Sequence, residues 1–329
     1  MNEFQLIQRF FQHEQADLLL TEKAQASVVL GIGDDCALLQ VPANKQLAVS
    51  VDTLVSGVHF PAEAAAEDIA ERSLRTTLSD LAAMGAEPLW FTLAVTLPKN
   101  SDYIFEEWLR SFSRGLFRVA NEFQIVLVGG DTTSGPLAIT IQVMGAIESR
   151  LALRRDGASI GDFICVTNTL GDGAAALAQI QQRVNVNPEH RDYFYQRFYR
   201  PTPRFREANI LKRIASSALD ISDGLVADVG HICTASDLAA IIDVENLPLS
   251  PALQSLNNLE QARIWALSGG DDYELCFTVA PEKMPELAMH IAAGEIHATV
   301  IGEIVAGSGV VCELDGKTFN LERAGYQHF

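Results

Sequence analysis

Aspartates set beside glycines and small hydroxyl residues dominate the chemistry open to this chain. Five such motifs each close an apolar segment: Gly33-Asp34-Asp35, Ser50-Val51-Asp52-Thr53, Gly129-Gly130-Asp131-Thr132, Asp220-Ile221-Ser222-Asp223-Gly224 and Gly269-Gly270-Asp271-Asp272. A further carboxylate, Asp80 in Leu78-Ser79-Asp80-Leu81, lies within an otherwise apolar helical stretch. Carboxylates gathered without counterions cost several kcal/mol each or take up protons instead, so the pattern predicts bound cations. Carboxylate, hydroxyl and carbonyl oxygens select hard ions such as magnesium, whereas zinc and copper sites want His and Cys. No His or Cys cluster accompanies these acids. Magnesium held by a few carboxylates keeps positions for water and phosphate oxygens, and glycines beside the acids let a phosphate approach the backbone. A magnesium-dependent enzyme that handles phosphates is the first reading. Taken singly, each motif also reads as an ordinary turn in which Asp caps its own backbone. A non-catalytic cation-binding module therefore stays open as a second class, although no EF-hand pattern or glycine-rich nonapeptide repeat is present.

The elements that must position these acids alternate along the chain. Leu47 to Val55 alternates as a strand that delivers Asp52 near its end, and 67–84 reads as a helix ended by Gly85 with Pro88 beyond. On that helix Thr77 and Asp80 share one face, and Ala70, Leu74 and Leu81 another. Phe4–Phe11 has the pattern of a short amphipathic helix, and Ile104, Trp108, Phe112 and Val119 mark a longer one. Ile125 to Val128 reads as a short buried strand leading into Gly129-Gly130-Asp131, and Leu137 to Ile147 as a long alternating strand. A boundary falls in the Arg-, Gly- and Asp-rich stretch 149–161. Beyond it, strands are expected at 162–167, 238–244, 273–279 and 297–305. Helices are expected after Gly171-Asp172-Gly173 and after Pro201-Thr202-Pro203. The fold class is α/β with two mixed domains, 1–149 and 150–329. Acids at strand ends are where open α/β architectures build their sites.

Composition narrows the function. The 329 residues, 48% hydrophobic and 20% charged, make a globular protein with a sizeable core. A formal net charge of -18 argues against a nucleic-acid or anionic-membrane surface. Met1-Asn2-Glu3-Phe4 lacks the regions of a signal peptide, no apolar run approaches membrane-spanning length, and a cytoplasmic protein is expected. Five widely spaced cysteines, without Cys-x-x-Cys, read as small core residues in a reducing compartment.

Familiar alternatives are missing. The chain has no Gly-x-x-x-x-Gly-Lys-Ser/Thr loop; His190-Arg191-Asp192 occurs without the Asp-Phe-Gly that completes a protein-kinase set, and Gly157-Ala158-Ser159-Ile160-Gly161 matches Gly-x-Ser-x-Gly only within the Arg-, Gly- and Asp-rich boundary stretch rather than at a strand-to-helix elbow. Asp52 lacks the second acid two residues on that aspartyl-phosphate enzymes carry, since Leu54 stands there. With no nucleophile evident, direct in-line transfer by positioning and charge neutralisation is the economical mechanism.

Several motifs closely resemble the thiamine-monophosphate kinases of the aminoimidazole ribonucleotide synthetase superfamily. They are Gly31-Ile32-Gly33-Asp34-Asp35-Cys36-Ala37, Asp52-Thr53-Leu54-Val55 with Gly57 and His59, Leu78-Ser79-Asp80-Leu81-Ala82-Ala83-Met84-Gly85-Ala86, Gly129-Gly130-Asp131-Thr132-Thr133, Asp220-Ile221-Ser222-Asp223-Gly224-Leu225 and Gly325-Tyr326-Gln327-His328-Phe329. The resemblance runs in order from about residue 3 to the last. It implies an N-terminal α/β domain that dimerises through its sheet, and a C-terminal α/β domain that closes the cleft. The implied reaction moves the ATP γ-phosphate to thiamine monophosphate, giving thiamine diphosphate and ADP as the final step of thiamine diphosphate biosynthesis.

The resemblance implies metal ligands at Asp35, Asp52, Asp80, Asp131, Asp220 and Asp223, with Ser50 and the carbonyl of Val51 as weaker ones. It implies ATP contacts at Gly130, Asp131, Arg155 and Ser222, and thiamine phosphate contacts at His59, Asp271 and Tyr326. Several magnesium ions are implied, a potassium requirement is left open, and the partners are ATP, thiamine monophosphate and a second copy in a homodimer. Three positions depart from the family: Asp271 stands for its usual Glu, Thr77 for Asn and Gln327 for Asp. On local pattern, His59 also reads as a packed or capping residue, Arg155 as a solvated turn residue and Tyr326 as an anchor of the C-terminus. Asp34 reads as a capping group beside Asp35. Another ATP-using member of the superfamily is the alternative enzyme, but selenophosphate synthetases need a reactive N-terminal Cys or its counterpart and hydrogenase-maturation proteins a C-terminal Cys.

Overall fold

The computed structural model describes residues 8–12, 15, 27–99 and 102–326. It divides into two compact units, 1–81 with 86–150, and 82–85 with 151–329. Of the helix expected over Phe4–Phe11, residues 4–7 lie outside the described set. Gln8–Gln12 form one π-helical turn that buries Phe10 and Phe11.

The first unit is built on a mixed four-stranded sheet. Its strands are β3 (Lys45–Val55), β4 (Glu87–Leu97), β5 (Val126–Ser134) and β6 (Ala138–Glu148), ordered β3-β6-β4-β5, after a small pair of β1 (Val28–Leu30) with β2 (Leu38–Leu39). Helices α1 (Ala66–Ala83) and α2 (Asp102–Glu122) complete it. Leu74, Leu78, Leu109, Leu116, Trp90 and Phe91 are among its fully buried side chains. Helix α1 stops where the spacing predicted: Gly85 takes φ +69°, its N–H donates to Ala82 and that of Ala86 donates to Leu81, a left-handed C-cap that suits a residue without Cβ. The helix is less apolar than its pattern suggested. Glu71 is fully buried between Arg75 and Arg118, because a charge buried at a helix–helix contact persists only when paired.

The Gly129-Gly130-Asp131 motif was expected to follow a strand, but β5 runs on through it to Ser134. Parallel pairing with β4 sets Gly130 against Leu93, and a Cβ at Gly130 would lie 1.9 Å from the Leu93 carbonyl oxygen. This glycine is thus required by the neighbouring strand, whatever ligand also comes near. On the outer edge of β5, the Gln15 amide takes the place of a missing strand. Its Oε1 accepts the Leu127 N–H at 2.7 Å and its Nε2 donates to the Leu127 carbonyl at 2.9 Å.

The second unit carries a seven-stranded sheet in the order β13-β12-β9-β11-β7-β10-β8. The strands are β7 (Phe163–Thr167), β8 (Ser217–Asp220), β9 (Ala239–Asp243), β10 (Leu275–Val279), β11 (Ala298–Val305), β12 (Gly309–Leu314) and β13 (Lys317–Thr318). Only the β9–β12 pairing is parallel. Helices α3 (Asp172–Ile180), α4 (Arg191–Tyr199), α5 (Phe205–Leu211), α6 (Leu225–Ser236), α7 (Pro251–Gln254), α8 (Leu259–Ser268) and α9 (Met284–Ala292) surround it. Two apolar clusters fill the unit, one around Ile164, Ile221 and Leu267, the other around Phe277, Leu211 and Ile296. Helix α5 begins after Arg204 rather than at the prolines, and β10 begins at Leu275, two residues after the expected start. Both Asp271 and Tyr273 take left-handed φ values of 70° and 52°, which a regular strand excludes.

Cys165, Cys233, Cys276 and Cys312 are buried, as read from the sequence, whereas Cys36 is exposed. The turn that carries Asp34 and Asp35 leaves it no core to enter. Among the described residues, no helix is long and apolar enough to cross a membrane.

Candidate active site

Period-two geometry explains the first acidic group. On β3, Ser50 and Asp52 point to one face and Leu47, Val49 and Val51 to the other. On the Asp52 face, α1 presents Thr77 and Asp80: Ser50 Oγ donates to Asp80 Oδ2 at 2.5 Å, and the Thr77 hydroxyl interacts with Asp52. The Thr77 hydroxyl also donates back to the Ser73 carbonyl at 2.8 Å. Burial, with the Asp80 charge second, raises the Asp52 carboxyl from 3.8 to about 6, and Thr77 offsets part of that rise. Two facing carboxylates of which one resists ionisation are chemically suited to a dication. Every donor here is an oxygen, which suits magnesium rather than zinc. Among the described residues, no three acid, imidazole or thiol groups stand ready to hold a metal between them.

A folded-state pKa above the unfolded one means that the folded chain holds the extra proton. That stabilisation is full below about 3.8 and is lost as pH rises through about 6. A bound dication replaces the proton, so magnesium should raise Tm at about pH 8 and lose most of that effect at about pH 5. An equal magnesium-induced rise at both pH values would contradict this account of Asp52.

Asp35 and Asp131 meet at a second place in the same unit. A cavity of about 470 Å³ is lined by Gly33, Asp35, Cys36, Gly130 and Asp131, with Phe11 and Leu127 among its apolar contacts. This is within the usual size of small-molecule sites. Asp34 lines the same cavity, and its carboxylate accepts the Asp35 N–H at 2.8 Å, a local cap; both residues are exposed. His59 closes the turn after β3, its Nδ1 accepting the Val55 N–H at 3.0 Å, while its carbonyl accepts from Arg72 Nε at 3.1 Å.

In the second unit, Asp220 ends β8 and is buried, and the loop after it carries Ser222 and Asp223. Asp271 lies beside that loop: its N–H donates to the Ser222 carbonyl at 2.9 Å and its Oδ1 accepts from the Tyr273 hydroxyl at 3.1 Å. Tyr326 joins the same place, its N–H donating to the Asp223 carbonyl at 2.9 Å, with a half-exposed ring. Arg155 is exposed, and its carbonyl accepts from Ser236 Oγ at 3.1 Å. Gln327 lies outside the described residues.

Sequence reasoning missed the charges that brace these loops. Asp272 accepts the Gly171 and Gly173 N–H groups at 2.7 and 3.0 Å, capping α3. Burial raises its carboxyl to about 7, against the pull of Arg197. Arg197 reaches Glu274 at 3.2 Å and the Asp272 carbonyl at 3.2 Å, and Arg204 Nε reaches Glu274 at 2.7 Å. Asp228 accepts from the Ser222-Asp223-Gly224 amides, and burial followed by the Asp223 charge raises it to about 7. Asp272 stands in a motif that reads as ligand chemistry, and Arg197, Arg204 and Asp228 carry no motif of their own.

Residues 33–147 match the AIR synthase related protein N-terminal domain and residues 159–315 its C-terminal domain. The thiamine-monophosphate kinase of Escherichia coli (strain K12) is 46% identical over 334 residues, covering 99% of this chain and 98% of that protein. The chain belongs to the thiamine-monophosphate kinase family. A crystal structure of the family from Stenotrophomonas maltophilia K279a superposes with TM-score 0.84 at 44% identity, covering 97% of this chain and 98% of that one. AaThiL complexed with AMPPCP and TMP superposes with TM-score 0.76 at 29% identity, covering 99% of this chain and 97% of that one. The two mixed α/β units are therefore those of the thiamine-monophosphate kinase fold.

Proposed function

We infer that this chain transfers the γ-phosphate of ATP directly to thiamine monophosphate, forming thiamine diphosphate and ADP. The observation that carries the reading is the family membership over the whole chain together with the paired carboxylates at Asp52 and Asp80, whose mutual repulsion a dication relieves. Asp35, Asp52, Asp80, Asp131, Asp220 and Asp223 are assigned to hold magnesium, helped by Ser50 and the Val51 carbonyl. Bound there, magnesium would supply charge neutralisation between the ATP polyphosphate and the phosphate of thiamine monophosphate. Gly130, Asp131, Arg155 and Ser222 are assigned to ATP, and His59, Asp271 and Tyr326 to thiamine phosphate, where the tyrosine ring suits the cationic thiazolium. The shorter Asp271, already bonded by Tyr273, is suited to contact substrate through that pair. The roles of 1–149 as the nucleotide, metal and dimer domain and of 150–329 as the C-terminal α/β domain belong to the same reading, as does a cytoplasmic location.

The assay is incubation with ATP, magnesium and thiamine monophosphate, followed by chromatography of the thiamine phosphates. Magnesium-dependent thiamine diphosphate with equal ADP is expected. ATP binding with no product would move the acceptor to another small phosphate or acid.

The homodimer has its own support. β3 is an edge strand whose outer face exposes Leu47, Val49 and Val51, the last at 59%, and apolar edges of this kind need a cover. Val49→Asp is expected to turn a dimer into a monomer by sedimentation. A wild-type monomer, or an unchanged dimer in the variant, would remove β3 from the interface.

A further inference from the structure

Every main-chain polar group of Ser222-Asp223-Gly224 is engaged within its own unit. The three consecutive N–H groups converge on one oxygen, Asp228 Oδ2, at 3.1, 3.2 and 3.1 Å. The three carbonyls accept from Asp271 at 2.9 Å, Tyr326 at 2.9 Å and Asp228 itself at 3.0 Å. Asp228 is buried in the first turn of α6. Amides ahead of a helix N-terminus are the usual seat of a phosphate. Here a carboxylate of the chain fills that seat, so the loop presents the side chains of Ser222 and Asp223 to a ligand and keeps its amides for Asp228.

We propose that Asp228 is a positioning residue that locks Ser222 and Asp223 and, through their carbonyls, fixes Asp271 and Tyr326 relative to them. The roles of those four residues rest on the function proposed above. The arrangement makes the donor-side and acceptor-side groups of this unit one hydrogen-bonded body, so loosening one end disturbs the other.

Asp228→Ala removes the shared acceptor, whereas Asp228→Asn keeps one oxygen in place. In the full-length protein, Asp228→Ala is expected to raise both the magnesium concentration for half-maximal activity and the KM for thiamine monophosphate by about ten-fold or more, and Asp228→Asn to recover both to within about three-fold. A lower Tm with both constants unchanged would reduce Asp228 to a structural residue and overturn the proposal. Amide exchange on the wild-type protein, without nucleotide or metal, is independent of how the variants fold. The 222–224 amides should exchange at least about a hundred-fold slower than unprotected ones, and rapid exchange would overturn the proposal. If the wild type makes no thiamine diphosphate, magnesium-dependent binding of a non-hydrolysable ATP analogue replaces turnover as the readout. The same ten-fold weakening in Asp228→Ala is expected there, and unchanged binding overturns the proposal separately from the kinase reading.

Discussion

Asp52→Asn is expected to lower kcat/KM for thiamine monophosphate by about a thousand-fold, roughly 4 kcal/mol of transition-state stabilisation, with Tm unchanged or raised. The two halves of this result have one cause. Burial and the facing Asp80 hold the Asp52 carboxyl at about 6, so its charge at neutral pH opposes folding. An amide of the same shape removes that repulsion and keeps a partner for the Thr77 hydroxyl. The amide also removes a charged oxygen donor from the dication, and the γ-phosphate loses the neutralisation its transfer requires. Active sites commonly trade stability for function in this way. Steady-state kinetics beside thermal unfolding would check both halves. Near-wild-type turnover, or a loss of activity matched by a fall in Tm, would contradict the ligand role.

The largest stability effect is expected at Arg197→Met, a loss of about 3–5 kcal/mol. Arg197 bonds Glu274 at 3.2 Å and stands 3.9 Å from both Asp172 and Asp272, all three acids being buried. Methionine keeps much of the volume and supplies no charge. Asp172 retains the hydroxyls of Thr169, Tyr193 and Ser250, Glu274 retains Arg204, and Asp272 retains the Gly171 and Gly173 N–H groups; burial already raises Asp272 against the pull of Arg197, so it is the acid most sensitive to the loss. Removing a nearby cation raises carboxyl pKa values further, and protonation then relieves the penalty. The deficit should therefore be largest near pH 8 and shrink as pH falls through about 7, where the wild-type Asp272 already titrates. Unfolding curves at about pH 8 and pH 5.5 test this. A loss below about 1 kcal/mol, or one independent of pH, would show that the acids do not depend on Arg197.

The fold class was legible because period-two strands and a periodic helix ended by Gly85 alternate along the chain, and local pattern dictates such elements. What local pattern cannot carry is pairing. Gly129-Gly130-Asp131 looks like a turn, yet β4 extends β5 through it, and the tolerance of Gly130 for the Leu93 carbonyl becomes visible only once the strands meet. Asp272 sits in a motif that reads as ligand chemistry and is spent on capping α3. Asp271, its neighbour, takes a left-handed φ that aspartate tolerates but that sequence alone does not assign to this position. Asp228, five residues beyond Asp223, carries no motif of its own, since its meaning lies in three amides that the chain delivers only by turning. The placement of Ser50, Asp52, Thr77 and Asp80 together was half legible: each shared a face with a neighbour on its own element, and the meeting of the two faces belongs to tertiary packing.

The measurement that bears most directly on the proposed reaction follows the label from γ-³²P-ATP with magnesium and thiamine monophosphate. Direct transfer is expected to place label in thiamine diphosphate, one per ADP formed, to stop when the metal is chelated, and to leave the protein unlabelled. Label retained on the protein during turnover would contradict direct transfer, and label absent from thiamine diphosphate would contradict the kinase reading itself.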